Sequence, residues 1–202
     1  MIVEINPDTP EPRKVRRAVD ALEAGQCIAY PTDTCYGLAC DLFNKKAVDR
    51  LYQLKGISRE RKLSFICQDL AEVSRYAVMH NHIYRVLKEF LPGPYTFIVE
   101  ATRDVPKIVQ SPRKTVGIRV PAHEVTLAIV RELGRPIIST TANRQGEPPP
   151  PDPREIESLF PALDLVLDAG PAGVSPSSVI DLTGPKPIVV RAGAGDVTPF
   201  LD

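Results

Sequence analysis

The chain has 202 residues, of which 43% are hydrophobic and 25% are charged, so it can bury a sizeable core and does not belong to the disordered class. Its 25 basic residues equal its 25 acidic residues, which gives a formal net charge of zero. This balance argues against binding of nucleic acid through a broad positive field, although it leaves a local basic groove open. The length and even composition predict one domain over residues 1–202.

The cysteines and the apolar segments indicate a cytoplasmic protein without a metal site. Cys27, Cys35, Cys40 and Cys67 lie in or near apolar, strand-like segments with no CxxC pair or neighbouring histidine, so we predict buried free thiols. The N-terminal stretch MIVEINPDTPEP contains no apolar segment of the length that a signal peptide needs. No stretch approaches the ~20 apolar residues of a membrane span.

Helix and strand patterns alternate along the first half of the chain, which predicts an α/β or mixed α+β fold. Residues 10–24 form the first predicted helix, with Thr9 as its cap and Gly25 at its end. QCIAY is a predicted strand, Asn44 is expected to cap a second helix that ends at Gly56, and LSFIC is the next strand.

The second half of the chain continues the alternation. HIYRVLKEF is a predicted helix, YTFIVEA and TVGIRV are strands, EVTLAIVREL is a helix that ends at Gly134, and PIISTTA is a strand. The run GEPPPPDP predicts an extended surface loop because proline lacks the amide donor. Asp152 is expected to cap a last helix, after which DLVLDAG, SVIDL and PIVVRA supply short strands.

Arg119 is the only charged side chain in the apolar strand TVGIRV. Strand alternation places it on one face together with Thr115 and Gly117. A buried guanidinium without a partner costs on the order of several kcal/mol, so Arg119 needs one. Two partners are open: an internal acid in a structural salt bridge, or a ligand carboxylate bound through two parallel hydrogen bonds.

Polar side chains also leave other predicted strands on one side. Ser139, Thr141 and Asn143 of PIISTTAN have the same parity, which fits either turn chemistry or the binding of phosphate or ribose oxygens. Ser177 and Arg191 stand beside two of the late strands. The sequence therefore predicts a sheet with one polar, arginine-bearing side.

The segment YPTDTCYGL places Thr32 and Thr34 on either side of Asp33, where an Asx-type turn led by Asp33 is the simplest interpretation. The histidines form no pair with a nucleophile, since they fall in a predicted loop or near a helix start: His80, His82 and His123. The nucleotide motifs GxxxxGK[ST] and GxGxxG are both absent from the sequence.

The basic segment QLKGISRERKLSFI connects a predicted helix to a predicted strand. It contains Lys55, Arg59, Arg61 and Lys62, which make it either a solvated turn or the clamp of an anion site.

Five segments in this order resemble the YrdC/YciO family: YPTDTCYGL, PGPYTFIV, VGIRVPAH, ISTTAN and SSVIDL…VVRAGAGDV. The resemblance covers essentially the whole chain. It implies a YrdC-like twisted mixed β-sheet flanked by helices, with a ligand hollow on the concave side. It also implies synthesis of L-threonylcarbamoyladenylate and pyrophosphate from L-threonine, bicarbonate and ATP, with Mg²⁺ expected on the triphosphate, for N6-threonylcarbamoyladenosine modification of tRNA.

The resemblance also implies roles for individual residues. Those expected around threonine are Thr34, Arg119, Ser139 and Ser177. Those expected around ATP are Lys55, Arg59, Arg61, Thr115, Thr141, Asn143 and Arg191. Lys55 and Arg61 would face the phosphates as catalytic groups, and no protein ligand to a metal is expected.

Some positions depart from the synthase pattern and resemble the YciO branch. Ile57 replaces the arginine of a Lys-x-Arg motif, with Arg59 two residues later, and Ile66 or Cys67 replaces a histidine of the following strand. Thr141 stands where a serine is usual. The alternative to a synthase is therefore a paralogue that binds nucleotide, tRNA or double-stranded RNA, and a third hypothesis is a related enzyme with another amino acid or carbamoyl substrate. Downstream tRNA-modifying proteins are expected partners of a synthase.

Overall fold

A computed structural model describes residues 1–60 and 63–201. Within these residues ten strands form one sheet and six α-helices lie against it. The strands are β1 (Ile2–Glu4), β2 (Ile28–Tyr30), β3 (Gly37–Asp41), β4 (Ser64–Ile66), β5 (Tyr95–Glu100), β6 (Thr115–Arg119), β7 (Ile137–Thr141), β8 (Leu165–Asp168), β9 (Ser178–Asp181) and β10 (Ile188–Arg191). The helices are α1 (Pro12–Glu23), α2 (Lys45–Lys55), α3 (Leu70–Tyr76), α4 (Asn81–Phe90), α5 (Glu124–Leu133) and α6 (Pro153–Leu159), followed by a 3₁₀ turn at Thr198–Phe200.

The strand order across the sheet is β1-β8-β2-β3-β7-β4-β6-β5-β9-β10. β1 and β2 both run parallel to β8, β4 runs parallel to β6, and β5 runs parallel to β9. The other neighbouring pairs are antiparallel. The sheet is therefore mixed, and the predicted α/β class with a mixed sheet flanked by helices is confirmed.

The two faces of the sheet are covered to different extents. On one face α1 packs against α5, and both rest on a core that includes Ile66 and Ile137. The opposite face carries the larger core, to which Phe65, Ile118 and Ile138 contribute. Because successive strand side chains point to opposite faces, the residues next to these core positions lie on the α1 and α5 side. Over β4, β6, β5 and β9 that side includes half-buried positions, so the helices leave a hollow there.

The predicted ends of several helices are correct. The Asn44 side chain accepts a hydrogen bond of 3.1 Å from the Ala47 amide at the start of α2, and Gly56 ends the helix with φ of 65°. The Asp152 side chain accepts one of 2.8 Å from the Arg154 amide at the start of α6. These caps are local interactions, so the sequence pattern is sufficient to predict them.

The predicted start of α1 is wrong. The helix begins at Pro12 with Glu11 in the cap position, and Thr9 lies before it. The Thr9 amide donates to the Asn6 side chain, and the Glu11 carboxylate accepts from the Asn6 amide, so a closed loop precedes the helix. Proline at the first helical position fits this start because its missing N–H would have no intrahelical partner.

Three elements are absent from the sequence predictions: β1, β3 and α3. β3 is buried at all five of its positions, so it has no alternation of polar and apolar residues to mark it as a strand. α3 is a short helix that Asp69 caps through a 2.8 Å hydrogen bond from the Glu72 amide.

The four cysteines are buried and form no disulfide, as predicted. In the described part of the chain, no helix combines the length and the apolar character that crossing a membrane requires. Across the same residues, no group of histidine, cysteine, aspartate and glutamate side chains is arranged to hold a metal ion.

Candidate active site

The hollow lies on the same sheet face as α1 and α5, over the strands that these two helices leave uncovered, and it encloses about 230 Å³. Its walls come from eight strands, β2 to β7, β9 and β10, together with the turn after β2. Six of the predicted site residues line it: Thr115, Arg119, Ser139, Thr141, Ser177 and Arg191. Residues far apart in the chain thus meet on one surface.

One row of cross-strand neighbours forms the floor of the hollow. Ser139 on β7 pairs with Ser64 on β4, Ser64 pairs with Gly117 on β6, and Gly117 pairs with Ile98 on β5. A Cβ atom at Gly117 would lie 3.3 Å from the Ser64 hydroxyl oxygen. The floor therefore changes from polar to apolar across the sheet, and the glycine keeps its centre open.

Arg119 is held by an internal acid. Its Nη2 donates to Asp33 Oδ1 at 2.6 Å and to Thr34 Oγ1 at 2.9 Å, with Thr32 Oγ1 at 3.4 Å. The two charged side chains are only 8% and 12% exposed. Of the two partners that the sequence left open, the structure contains the salt bridge.

The Arg119–Asp33 pair uses only one nitrogen and one oxygen. Arg119 Nε and Asp33 Oδ2 are both buried without a hydrogen-bond partner. Nη1 has no acceptor among the described residues and is not one of these buried atoms. Because Arg119 also lines the hollow, Nη1 is the nitrogen that remains for a ligand.

The predicted Asx-type turn at Asp33 is wrong. Thr32 makes the turn instead, because its Oγ1 accepts from the amides of Thr34 at 3.1 Å and Cys35 at 3.3 Å. The Thr32 hydroxyl donates to the Cys35 carbonyl at 2.7 Å. The Asp33 carboxylate is consequently not needed for the turn and meets Arg119.

Ser139 has its single hydroxyl proton engaged. It donates to the Leu38 carbonyl at 3.0 Å, so the Tyr30 hydroxyl at 2.6 Å must be the donor to Ser139. Burial raises the pKa of Tyr30 to about 12, so the tyrosine keeps this proton at neutral pH. Ser139 thus offers a ligand a hydrogen-bond acceptor.

Arg191 supplies a positive charge that no acidic side chain of the described residues neutralises. Its Nε and Nη2 donate to the Ser177 carbonyl at 3.0 and 2.7 Å. The Ser177 hydroxyl lies 2.8 Å from Thr96 Oγ1. Arg191 is exposed on the edge strand β10, yet partial desolvation on its protein side lowers its pKa, and the nearby Arg119 charge acts in the same direction. An anion bound in the hollow would offset both the desolvation of Arg191 and its repulsion by Arg119.

Lys55 lies beside the hollow rather than in an exposed loop. It is the last residue of α2, and its Nζ donates to the Thr141 carbonyl at 2.8 Å. It also contacts the backbone oxygen and side-chain oxygen of Asn143. Lys55 therefore ties α2 to the end of β7, and neither it nor Asn143 is among the residues that line the hollow.

The structure does not bring Arg59 to the hollow. Its guanidinium pairs with Asp49 on α2 and lies 5.3 Å from the centre of the Tyr52 ring. The predicted phosphate contact of Arg59 therefore has no support in this geometry. Arg61 lies outside the described residues.

The histidines stand apart from the lining of the hollow. His80 and His82 are exposed at the start of α4, with their rings stacked 5.9 Å apart, which confirms the predicted surface position. His82 lies in α4, in agreement with the predicted helix HIYRVLKEF, which begins at this residue. His123 caps α5 without a side-chain hydrogen bond, and burial lowers its pKa while the Asp33 carboxylate opposes that shift.

Comparison with known proteins assigns the family. Residues 20–193 match the Sua5/YciO/YrdC family, whose description reads "Telomere recombination". The chain belongs to the Sua5/YciO/YrdC family. It is 40% identical to the uncharacterized protein YciO of Escherichia coli over 98% of this chain and 97% of that protein. The crystal structure of E. coli YciO superposes with a TM-score of 0.95 at 37% identity, covering 100% of this chain and 99% of that chain.

Threonylcarbamoyl-AMP synthases are also relatives of this Sua5/YciO/YrdC chain. The mouse synthase (Mus musculus) is 34% identical over 89% of this chain, which spans 66% of that protein. The structure of Pyrococcus abyssi Sua5 complexed with L-threonine has a TM-score of 0.89 at 28% identity. The match covers 96% of this chain and 57% of the Sua5 chain.

The residues that depart from the synthase pattern lie in different environments, since one lines the hollow and the others are packed in or against the core: Ile66, Cys67 and Ile57. Ile66 lines the hollow and pairs with Arg119 across β4 and β6. Cys67 is fully buried in the core on the opposite face. Of the two candidates for the missing histidine, Ile66 is thus the one that faces the hollow. Ile57 packs against the core.

Several residues of the hollow were not predicted. Tyr30, Ser64 and Thr96 line it, and each hydroxyl belongs to a strand with otherwise apolar neighbours. The alternation within LSFIC and YTFIVEA is the signal that could have placed Ser64 and Thr96 on a polar face. Tyr30 gives no such signal, because its strand reads Ile-Ala-Tyr, is buried at all three positions and has no alternation of polar and apolar residues.

Proposed function

We propose that this chain is an L-threonylcarbamoyladenylate synthase-like nucleotidyltransferase that uses L-threonine, bicarbonate and ATP. The observation that carries the proposal is the convergence of Arg119, Arg191 and several hydroxyls on one hollow. Family membership supports it, since related proteins are threonylcarbamoyl-AMP synthases and one relative's structure holds L-threonine. The product would serve N6-threonylcarbamoyladenosine modification of tRNA in the cytoplasm, with tRNA-modifying proteins downstream.

In this proposal the amino acid occupies the Arg119 side of the hollow. Arg119 Nη1 would donate to the α-carboxylate, a charge-assisted bond that does not require Asp33 to leave. Ser139 would accept a hydrogen bond from the ligand, because its own proton is used by the Leu38 carbonyl. Ser177 would complete the polar wall, whereas Thr34 does not line the hollow and would act by holding Arg119.

The nucleotide would occupy the side of Arg191, Thr115 and Thr141. Lys55 and Asn143 at present contact each other. To reach the phosphates of the nucleotide, they would have to break these contacts and form new ones with the phosphate oxygens. Arg61 is proposed as a further phosphate contact on the resemblance alone. We expect Mg²⁺ to arrive with the triphosphate, held mainly by phosphate oxygens and water.

The chemistry needs positioning more than proton transfer once the carbamate exists. The α-ammonium group of threonine releases a proton to solvent, and the amine and bicarbonate then give a carbamate with loss of water. The carbamate oxygen forms a bond to the α-phosphorus while the bond to the pyrophosphate oxygen breaks. The hollow would hold the two reactants side by side, and the Arg191 charge would stabilise the negative charge on the departing pyrophosphate.

The test is pyrophosphate release by the purified protein with ATP, bicarbonate and L-threonine. We expect release that depends on threonine and is lost in Arg191→Ala. Arg135→Ala is the matched control, because Arg135 pairs with Asp41 away from the hollow. A folded protein that releases no pyrophosphate in response to threonine would contradict the proposal, and ATP turnover that threonine does not stimulate would favour another amino acid or carbamoyl substrate.

The alternative proposal is a nucleotide- or RNA-binding paralogue without efficient synthase activity. It is favoured by the engagement of Lys55 and Arg59 with protein atoms and by the packing of Ile57 where synthases carry an arginine. Binding of tRNA or double-stranded RNA should then weaken steeply with salt. Binding that is absent or insensitive to salt would exclude this alternative.

A further inference from the structure

Asp33 is a largely buried acid, 12% exposed, for which the proposed reaction has no role. Its Oδ1 accepts from Arg119 Nη2 at 2.6 Å, and its Oδ2 is buried with no partner. It is not needed for the turn, which Thr32 makes. Asp33 therefore neither builds the turn nor lines the hollow, but its negative charge lies next to Arg119, which does line the hollow.

The charge of the amino-acid side of the hollow follows from this pair. Arg119 and Asp33 carry one charge each and together sum to zero. Among the described residues, Arg191 is the other cation that lines the hollow, and it donates to the carbonyl of Ser177, a residue of the proposed amino-acid wall. The Arg191 and Arg119 charges repel each other. His123 also feels the Asp33 carboxylate, and burial disfavours its charged form. The Arg119–Asp33 pair therefore adds no net charge to the position proposed for the amino acid, and Arg191 supplies the net positive charge of the hollow.

We propose that Asp33 is a positioning and specificity residue that makes the hollow select a zwitterionic amino acid over a simple carboxylate. The inference rests on the proposed binding of L-threonine and adds the charge class that the subsite accepts. Asp33 acts through Arg119. Arg119 Nη2 donates its hydrogen bonds to Asp33 and Thr34, so Nη1 is left to bind the ligand carboxylate.

The physical reason is that the Arg119–Asp33 pair offers an opposite charge to each of the two charged groups of a zwitterion. The α-carboxylate is attracted by Arg119, and the field of Asp33 offsets the repulsion between Arg119 and the α-ammonium group. A carboxylate without an amino group would be attracted by the Arg119 charge but repelled by the Asp33 charge, and no ammonium group would offset this repulsion. Oδ2 is buried, so the effect is carried by the field and by the orientation of Arg119 rather than by contact with the ligand.

The experiment compares binding of L-threonine with binding of β-hydroxybutyrate, which has the same carbon skeleton without the amino group. Calorimetry at a pH above the usual histidine pKa of about 6.5 keeps His123 neutral. We expect the unsubstituted protein to prefer threonine by about tenfold or more, since an ion placed ~4–6 Å from a charge is commonly affected by at least one pKa unit. In Asp33→Asn this preference should fall by about tenfold or more, while Asp33→Glu should retain most of it.

Asp41→Asn is the matched control. Asp41 is 8% exposed and binds Arg135 Nη2 at 2.6 Å, so it resembles Asp33 in burial and pairing but lies outside the hollow. It should lower the thermal unfolding midpoint and leave the ratio of the two affinities unchanged.

The outcomes separate the two proposals. If threonine binds but the ratio is the same in Asp33→Asn as in the unsubstituted protein, the role of Asp33 is overturned and the proposed function survives. If Asp33→Asn does not fold, the unsubstituted protein decides, since equal or tighter binding of β-hydroxybutyrate overturns the inference. No binding of threonine to the folded, unsubstituted protein overturns both proposals.

Discussion

The Lys55 ammonium group lies 2.8 Å from the carbonyl oxygen of Thr141, a residue 86 positions further along the chain. This contact joins the last residue of α2 to the end of β7, next to the hollow. It gives Lys55 a structural role beside any role in binding phosphate. The two roles can be separated by experiment.

Lys55→Ala should lower both the stability and the affinity for ATP. Loss of hydrogen bonds from a half-buried ammonium group is expected to cost about 1–2 kcal/mol in the free energy of unfolding. Urea denaturation measures the stability and calorimetry measures ATP binding. Lys45→Ala is the control, because Lys45 is exposed at the other end of the same helix. Unchanged ATP affinity in a destabilised Lys55→Ala variant would assign this lysine to the fold alone.

Arg119→Ala should reduce threonine affinity far more than ATP affinity. It should also lower the free energy of unfolding by about 3–5 kcal/mol, because Asp33 would remain as a buried charge without its partner. A double variant with Arg119→Met and Asp33→Asn removes both charges, and we expect it to regain much of the stability without regaining threonine binding. Equal losses for the two ligands in the double variant would show that Arg119 is only structural.

Gly117→Val should block the hollow while the sheet persists. The added side chain would begin 3.3 Å from the Ser64 hydroxyl oxygen and 3.5 Å from a Thr96 methyl carbon, so it would fill the floor. Valine suits a strand, and we therefore expect a change in the free energy of unfolding within about 1 kcal/mol. Binding of threonine or ATP should weaken by about tenfold or more, a loss of ~1.4 kcal/mol or more.

Gly184→Ala is the comparison for this steric effect. Among the described residues, a Cβ atom at Gly184 would meet the Lys186 carbonyl alone, at 3.7 Å, outside the hollow. It should leave ligand binding unchanged. Full binding by a folded Gly117→Val protein would place the ligands elsewhere.

Alkaline pH should destabilise the protein through Tyr30. Burial raises the folded-state pKa of Tyr30 to about 12, above its value of about 10 in the unfolded chain. The unfolded state therefore loses this proton first, so the stabilisation is complete below about pH 10 and is lost as the pH rises toward 12. The contribution is on the order of 2–3 kcal/mol.

Tyr30→Phe should make the alkaline loss of stability less steep. The measurement is urea denaturation at a series of pH values between about 8 and 12, which includes the window from about 10 to about 12 that the two pKa values define. Tyr84→Phe is the control, because Tyr84 is exposed and its removal should leave the slope unchanged. Identical slopes in the Tyr30→Phe and unsubstituted proteins would show that Tyr30 does not cause the alkaline loss.

Local patterns were sufficient for much of the fold. Asn44, Gly56 and Asp152 mark helix ends because a cap depends on residues within one turn. Strand alternation placed Arg119 and Ser139 on polar sides, and both line the hollow. β3 has no such pattern because both of its faces are buried, and the sequence predictions therefore omitted it.

The sequence by itself determined the class of the fold, the buried cysteines and which side of each strand carries the polar groups. Tertiary structure alone decided that Arg119 meets Asp33, that Lys55 is bound at the end of β7, and that Arg59 pairs with Asp49. The physical reason is the distance along the chain over which each feature is determined. Side-chain direction repeats every two or 3.6 residues, whereas the choice of partner depends on the order in which distant strands are hydrogen-bonded.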